Sequence, residues 1–176
     1  MKFALLMTMI LSLSACIGSG QNTSVTKVDD GFIPSMAGID LLGEERPIPD
    51  SFKGDLNIVT FAFEREQQEM VNTWIDGLEP ILENEVNVRY YEIPLIYEMN
   101  AVMRGWVNNG MRAGIPDEAA RERTITVYTD RDKFLKMMSM DTTTIYTVLV
   151  DQKGKILWRT DGVATDEKIK TLQGLL

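Results

Sequence analysis

Val148-Leu149-Val150-Asp151-Gln152-Lys153-Gly154-Lys155-Ile156-Leu157-Trp158 is the stretch that decides how this chain folds. Ile145 to Val150 is an apolar run of strand length. Gln152-Lys153-Gly154-Lys155 is a polar turn whose glycine tolerates a left-handed backbone. Ile156-Leu157-Trp158 is the strand that returns. Together they predict an antiparallel hairpin at the edge of a sheet. A last helix follows, capped by Thr165 and carrying Ile169 and Leu172.

Upstream, strands and helices alternate. Thr124 to Thr129 reads as a strand, and Asp130 caps a short helix through Met137. Residues 55–63 (DLNIVTFAF) are nearly all apolar, as in a strand covered on both faces. Met70, Val71, Trp74, Ile75, Leu78, Ile81 and Leu82 recur at helical spacing over 65–83, with Pro80 inside the pattern. Val86 to Ile93 reads as a strand. Leu95, Ile96, Met99, Val102, Met103, Trp106 and Val107 mark a second amphipathic helix that Asn108-Asn109-Gly110 ends. Residues 111–123 are then a polar connection, and residues 38–46 a short hairpin turning near Gly43. Trp74, Trp106 and Trp158 all fit core positions. The order β-β-α-β-α-β-α-β-β-α predicts an α/β sandwich: a mixed central sheet with helices on both faces.

The N-terminus addresses a membrane. Lys2 precedes an apolar run from Phe3 to Leu13, too short to span a bilayer. Leu13-Ser14-Ala15-Cys16 then matches a lipobox, so residues 1–15 read as a lipoprotein signal peptide and Cys16 as the acylated residue. Stable anchoring takes two acyl chains, which bacterial lipoproteins carry. Residues 16–37 read as the lipidated N-terminus and a flexible tether, and 38–176 as one domain. The expected location is the cell envelope, on the periplasmic face of the outer membrane if the cell is Gram-negative, since Ile17 rather than Asp follows Cys16.

Composition narrows the chemistry. The net charge is −8 with no basic stripe, which argues against a nucleic-acid partner. There is no histidine, so imidazole metal ligands and His-dependent triads are ruled out. Cys16 is the only cysteine, so no intramolecular disulfide forms. No cofactor or metal site is predicted.

Val148-Leu149-Val150-Asp151, Lys153-Gly154-Lys155-Ile156-Leu157-Trp158 and Gly162 resemble the closing strand, turn, strand and glycine of thioredoxin-like proteins. Leu78-Glu79-Pro80-Ile81-Leu82 resembles the proline-kinked helix after the thioredoxin active site. The resemblance covers residues 38–176 and implies a thioredoxin-like three-layer sandwich. The two redox cysteines it implies would fall at Asn72 and Ile75 counting back from Pro80, or near Glu66 and Glu69 counting forward from Phe61. Neither pair holds sulfur, and the family's cis-proline is missing before Ile145. Thiol–disulfide exchange needs a thiolate attacking a disulfide, so the globular portion is expected to be redox-inactive. Val127-Tyr128-Thr129-Asp130-Arg131, Leu149-Val150-Asp151 and Ile156-Leu157-Trp158-Arg159 are most similar to the mitochondrial ATP-synthase assembly-factor family with a thioredoxin-like fold. That similarity implies action by protein contact.

Four surface features are candidate sites. Arg104, Arg112, Arg121 and Arg123 concentrate positive charge in an acidic chain and suit carboxylate or phosphate contacts. Thr143, Thr144 and Ile145 stand where thioredoxins engage substrate backbone. Glu64, Glu66 and Glu69 gather at a helix start, where the dipole favours acids. Met99, Met103 and the Met137–Met140 cluster offer thioethers that bind Cu(I) or fill a core. The leading reading is a membrane-anchored protein that binds an envelope protein and assists its assembly. The alternative is a ligand- or metal-binding envelope protein, or a carboxylate-based enzyme.

Overall fold

The computed structural model describes residues 31–176. The expected signal peptide with Leu13, Ser14 and Ala15, the expected acylation site Cys16, and the residues read as a tether up to 30 lie outside the described residues. Among the described residues no helix is long and apolar enough to cross a membrane.

Six strands form one mixed sheet: β1 (Gly38–Asp40), β2 (Leu56–Ala62), β3 (Val88–Tyr97), β4 (Ile125–Thr129), β5 (Tyr146–Asp151) and β6 (Ile156–Asp161), in spatial order β1-β4-β3-β2-β5-β6. β2, β3 and β4 run parallel; β5 runs antiparallel to both its neighbours, β2 and β6, and β1 adds an antiparallel edge beside β4. Five helices connect them: α1 (Gln68–Asn84), α2 (Ala101–Gly114), α3 (Glu118–Arg123), α4 (Arg131–Met138) and α5 (Asp166–Gln173). This is the thioredoxin-like sandwich expected, and the closing hairpin lies at the sheet edge as its sequence predicts.

Alternation along the central strands splits the core into two layers. Ile58, Leu149 and Tyr90 meet Trp74, Leu78, Ile81 and Leu172 on the α1/α5 face. Val59, Phe61, Ile93 and Val148 meet Phe134 and Met138 of α4 on the other. Trp74 and Trp158 contact edge to face at 6.3 Å, and the Trp74 indole donates to the Gly162 carbonyl at 2.9 Å. That bond fixes the turn after β6 to the middle of α1. The sequence caps also form: Asp130 accepts from Lys133 N and Thr165 from Lys168 N.

Three boundaries differ from the sequence reading. β3 runs on to Tyr97, so Leu95 and Ile96 are strand residues; Leu95 is fully buried and sits in register with Val127. α2 starts at Ala101, where the Asn100 side chain accepts from Met103 N, and passes through Asn108-Asn109-Gly110 to Gly114. The polar connection of 111–123 is therefore the end of α2 plus α3, which Asp117 caps. The segment read as tether is packed from Gly31 onward: Ile33 is buried, its N–H donates to Gly154 O at 2.9 Å, and Met36 and Ile48 exchange both backbone hydrogen bonds.

Gly154 joins that segment to the closing hairpin. Its φ is +79°, and a Cβ there would stand 2.9 Å from Ile33 and 3.0 Å from Pro49. Gly154→Ala combines backbone strain with a clash and is expected to cost about 2 kcal/mol or more. Urea unfolding monitored by tryptophan fluorescence measures it.

Candidate functional site

β2 ends at Ala62, and a single 3-10 turn, Arg65–Gln67, leads into α1. Glu66 lies in that turn and Glu69 in the first turn of α1, while Asn72 and Ile75 lie further along α1. Gln67, between Glu66 and Glu69, is buried at 4% exposure. Its carbonyl oxygen accepts from Phe63 N at 2.8 Å and Glu64 N at 3.1 Å. Its amide nitrogen donates to Thr142 O at 2.8 Å and Thr144 O at 3.2 Å. One side chain therefore staples the β2–α1 junction to the loop before β5, with both amide protons and both carbonyl lone pairs engaged.

The surroundings reinforce the staple. Arg131, at the start of α4, donates to Phe63 O at 2.7 Å, pairs with Glu64 at 3.0 Å and lies 4.0 Å from the Tyr97 ring centre. Asp141 accepts from both the N–H and the hydroxyl of Thr143, and these bonds hold its carboxyl below the usual range. Tyr146 OH accepts from Asp141 N, and Arg159 lies 4.9 Å over the Tyr146 ring. No cis peptide precedes β5; the one among the described residues is Ile48–Pro49. Of the three predicted loop residues, Thr143 is exposed, Thr144 gives its carbonyl to Gln67, and Ile145 is buried with its carbonyl accepting from Gly162 N.

The four predicted arginines do not converge on one surface. Arg104 donates to Met99 O at 2.7 Å, approaches Glu98 at 3.4 Å and lies 5.0 Å over the Tyr128 ring. Arg112 donates to Leu41 O at 2.6 Å, tying α2 to the end of β1. Arg121 donates to Ile115 O at 2.6 Å and Arg112 O at 3.0 Å, closing the turn between α2 and α3. Arg123 stands 3.8 Å from Glu92 and over Tyr90. All four act as braces whose guanidinium groups turn toward the protein.

With the arginines facing in, the apolar side of α2 faces out. Val102 is 81% exposed and Trp106 is 74% exposed, so Trp106 is not a core residue. The helical period holds only from Ala101 on, and there the facing is reversed, because Arg104, Asn108 and Arg112 take the inward stripe; Tyr128 OH donates to Asn108 at 2.7 Å. Among the methionines, Met138 and Met140 are core, and Met137 is exposed. Among the described residues no group of three His, Cys, Asp or Glu could hold a metal.

Gln67 and Glu92 escaped the sequence reading. A glutamine after a strand carries no chemical signature, and Glu92 sits in an apolar strand. Glu92 is 7% exposed; burial pushes its carboxyl up, against the opposing pull of Arg123.

The model of the ATP10 protein family matches residues 23–175. No curated protein sequence matches the chain. Among solved structures, the thioredoxin domain of a thiol-disulfide oxidoreductase from Bacteroides vulgatus is similar at 16% identity and a TM-score of 0.57, covering 85% of this chain and 99% of that one. A thiol:disulfide interchange protein from Bacteroides sp. is similar at 18% identity and 0.55, covering 84% and 90%. The exposed lipoprotein thioredoxin Etrx1 of Streptococcus pneumoniae is similar at 12% identity and 0.53, covering 81% and 100%. These likenesses establish the thioredoxin-like fold.

Two measurements probe the site's energetics. Gln67→Ala strands two amide protons and two carbonyls at a partly buried junction, and is expected to cost about 2–3 kcal/mol in urea unfolding. For Glu92 the folded pKa is raised, so its ionisation destabilises the fold as pH rises from the unfolded value through the folded one. Glu92→Gln should therefore raise the melting temperature near pH 7 and change it least near pH 4. Equal shifts at both would refute the assignment.

Proposed function

The chain belongs to the ATP10 protein family, and from that premise we propose that it is a membrane-anchored, redox-inactive thioredoxin-like lipoprotein that acts by binding a protein and assisting its assembly in the cell envelope. The observation that carries the reading is the Gln67 staple. Where the resemblance counted forward from Phe61 implies a dithiol, this chain places a saturated amide that locks the β2–α1 junction to the 142–144 loop. The junction has hydrogen bonds and no thiolate to offer.

Two further features support the reading. Cys16 falls within a lipobox and is the chain's one thiol, so acylation leaves the mature protein none for exchange. Glu66 and Thr143 remain exposed on either side of the staple, giving the sheet end a polar rim for a protein partner.

The test uses a photo-crosslinking residue at Glu66 or Thr143 in the lipidated protein. One defined envelope protein should be captured, and its assembled form should decline when this chain is deleted. Wild type should restore it, and Cys16→Ser, which removes the acyl site, should not. Full rescue by Cys16→Ser, or dithiol-dependent insulin reduction by the purified protein, would overturn the reading.

A further inference from the structure

Met99 to Pro116 is a stretch of 18 residues without an aspartate or glutamate, in a chain that holds 26 of them among 176. It carries Arg104 and Arg112 as its only charges. α2 occupies most of it, and the helix is one-sided. Arg104, Asn108 and Arg112 brace it against Tyr128 and Leu41. Val102 and Trp106, one turn apart, point away from the body, with Met103 at 46% exposure beside them. Gly105 and Gly110 have nothing within 4 Å of where a Cβ would stand, so small groups flank the indole.

We propose that the outward face of α2 rests on a phospholipid surface, with Trp106 inserted at headgroup depth. The inference deepens the membrane-anchored reading above and rests on it. Three observations favour lipid as the occupant. The first is charge: an acidic protein is repelled by an anionic bilayer, and this stretch is where the repelling carboxylates are missing. Of the acids that flank it, Glu98 pairs with Arg104 and Asp117 caps α3, so the outward face is close to neutral. The second is side-chain type. An amphipathic helix carrying tryptophan on its apolar side lies in the plane of a membrane interface, where the indole has one apolar and one wet environment.

The third is reach. The described chain begins at Gly31, whose carbonyl accepts from Ile156 N at the start of β6, whereas α2 is held by β4 and the end of β1 at the opposite side of the sheet. A six-stranded sheet is about 25 Å wide. The 15 residue steps from Cys16 to Gly31 extend to at most roughly 50 Å. An acyl group on Cys16 thus leaves enough chain for α2 to meet the same bilayer. Tethering also raises the local concentration of the face at the surface, so a small apolar patch suffices.

Tryptophan emission tests this directly, because Trp74 and Trp158 are buried and Trp106 is not. The lipidated full-length protein is placed on vesicles of phosphatidylethanolamine and phosphatidylglycerol, and on vesicles of phosphatidylcholine. On both kinds of vesicle the emission should shift to shorter wavelength, and dibrominated phospholipid should quench most of the Trp106 component. Trp106→Phe should abolish both changes, and Val102→Asp should return Trp106 to its water-exposed emission with the fold intact by circular dichroism. Water-exposed Trp106 emission on either kind of vesicle overturns the proposal. So does shielding of Trp106 from an aqueous quencher only when envelope proteins share the vesicle, without bromolipid quenching, because that assigns the face to a partner's apolar helix. The mass of Cys16 is read in the same preparation. A missing acyl adduct refutes the anchor, and the emission of Trp106 on those vesicles then decides the α2 proposal by itself.

Discussion

β2 and β4 never touch, and the sheet depends on β3 to hold both. Val88 to Pro94 stand in register with β2, and Leu95 to Tyr97 with β4. Pro94 is the last residue paired with β2, where a residue without an N–H is tolerated, and pairing on the β4 side has already begun at Glu92 opposite Thr124. The extra length of β3 has consequences further along. The chain leaves the sheet late, at Tyr97, so α2 begins beyond the strand ends and is held by a few long polar side chains. α1, by contrast, is buried along a whole stripe from Val71 to Ile81.

This difference explains which parts of the fold the sequence revealed. α1 carries an apolar stripe that faces the sheet, and the stripe is visible as periodicity. The closing hairpin has a turn glycine between two apolar runs. Asp130 and Thr165 act locally on their own helices, so their roles need no tertiary information. The segment from Leu95 to Val107 misleads because a strand end, a loop and a helix happen to place apolar residues at compatible intervals. Periodicity also reports an apolar side without reporting where it points. Trp106 follows the helical rhythm as well as Trp74 does, yet one indole is in water and the other is fully buried.

The candidate site was legible as an absence and hidden as a presence. Missing cysteines and a missing proline can be counted, but the replacement cannot: nothing about a lone glutamine announces four simultaneous backbone contacts with two loops far apart in the chain. The arginines mislead in the opposite direction. Their clustering looks like an acceptor for anions, whereas in the folded chain each guanidinium meets a carbonyl, a carboxylate or a ring nearby. A main-chain carbonyl competes well for an arginine fork when the chain turns sharply, as it does between α2 and α3. Sequence spacing does not show where those turns lie.

The way Gly31 to Met36 lies against the body has a mechanical consequence. The Gly31 carbonyl and the Ile33 N–H bond to Ile156 and Gly154, and Met36 exchanges bonds with Ile48. A pull arriving from the N-terminal side loads these few contacts first, ahead of the ladder between β2, β3 and β5. Such a segment works as a fuse. Its few bonds are the first in line to yield, ahead of the central sheet and the Gln67 staple, so strain entering beside Gly31 is spent at the sheet edge.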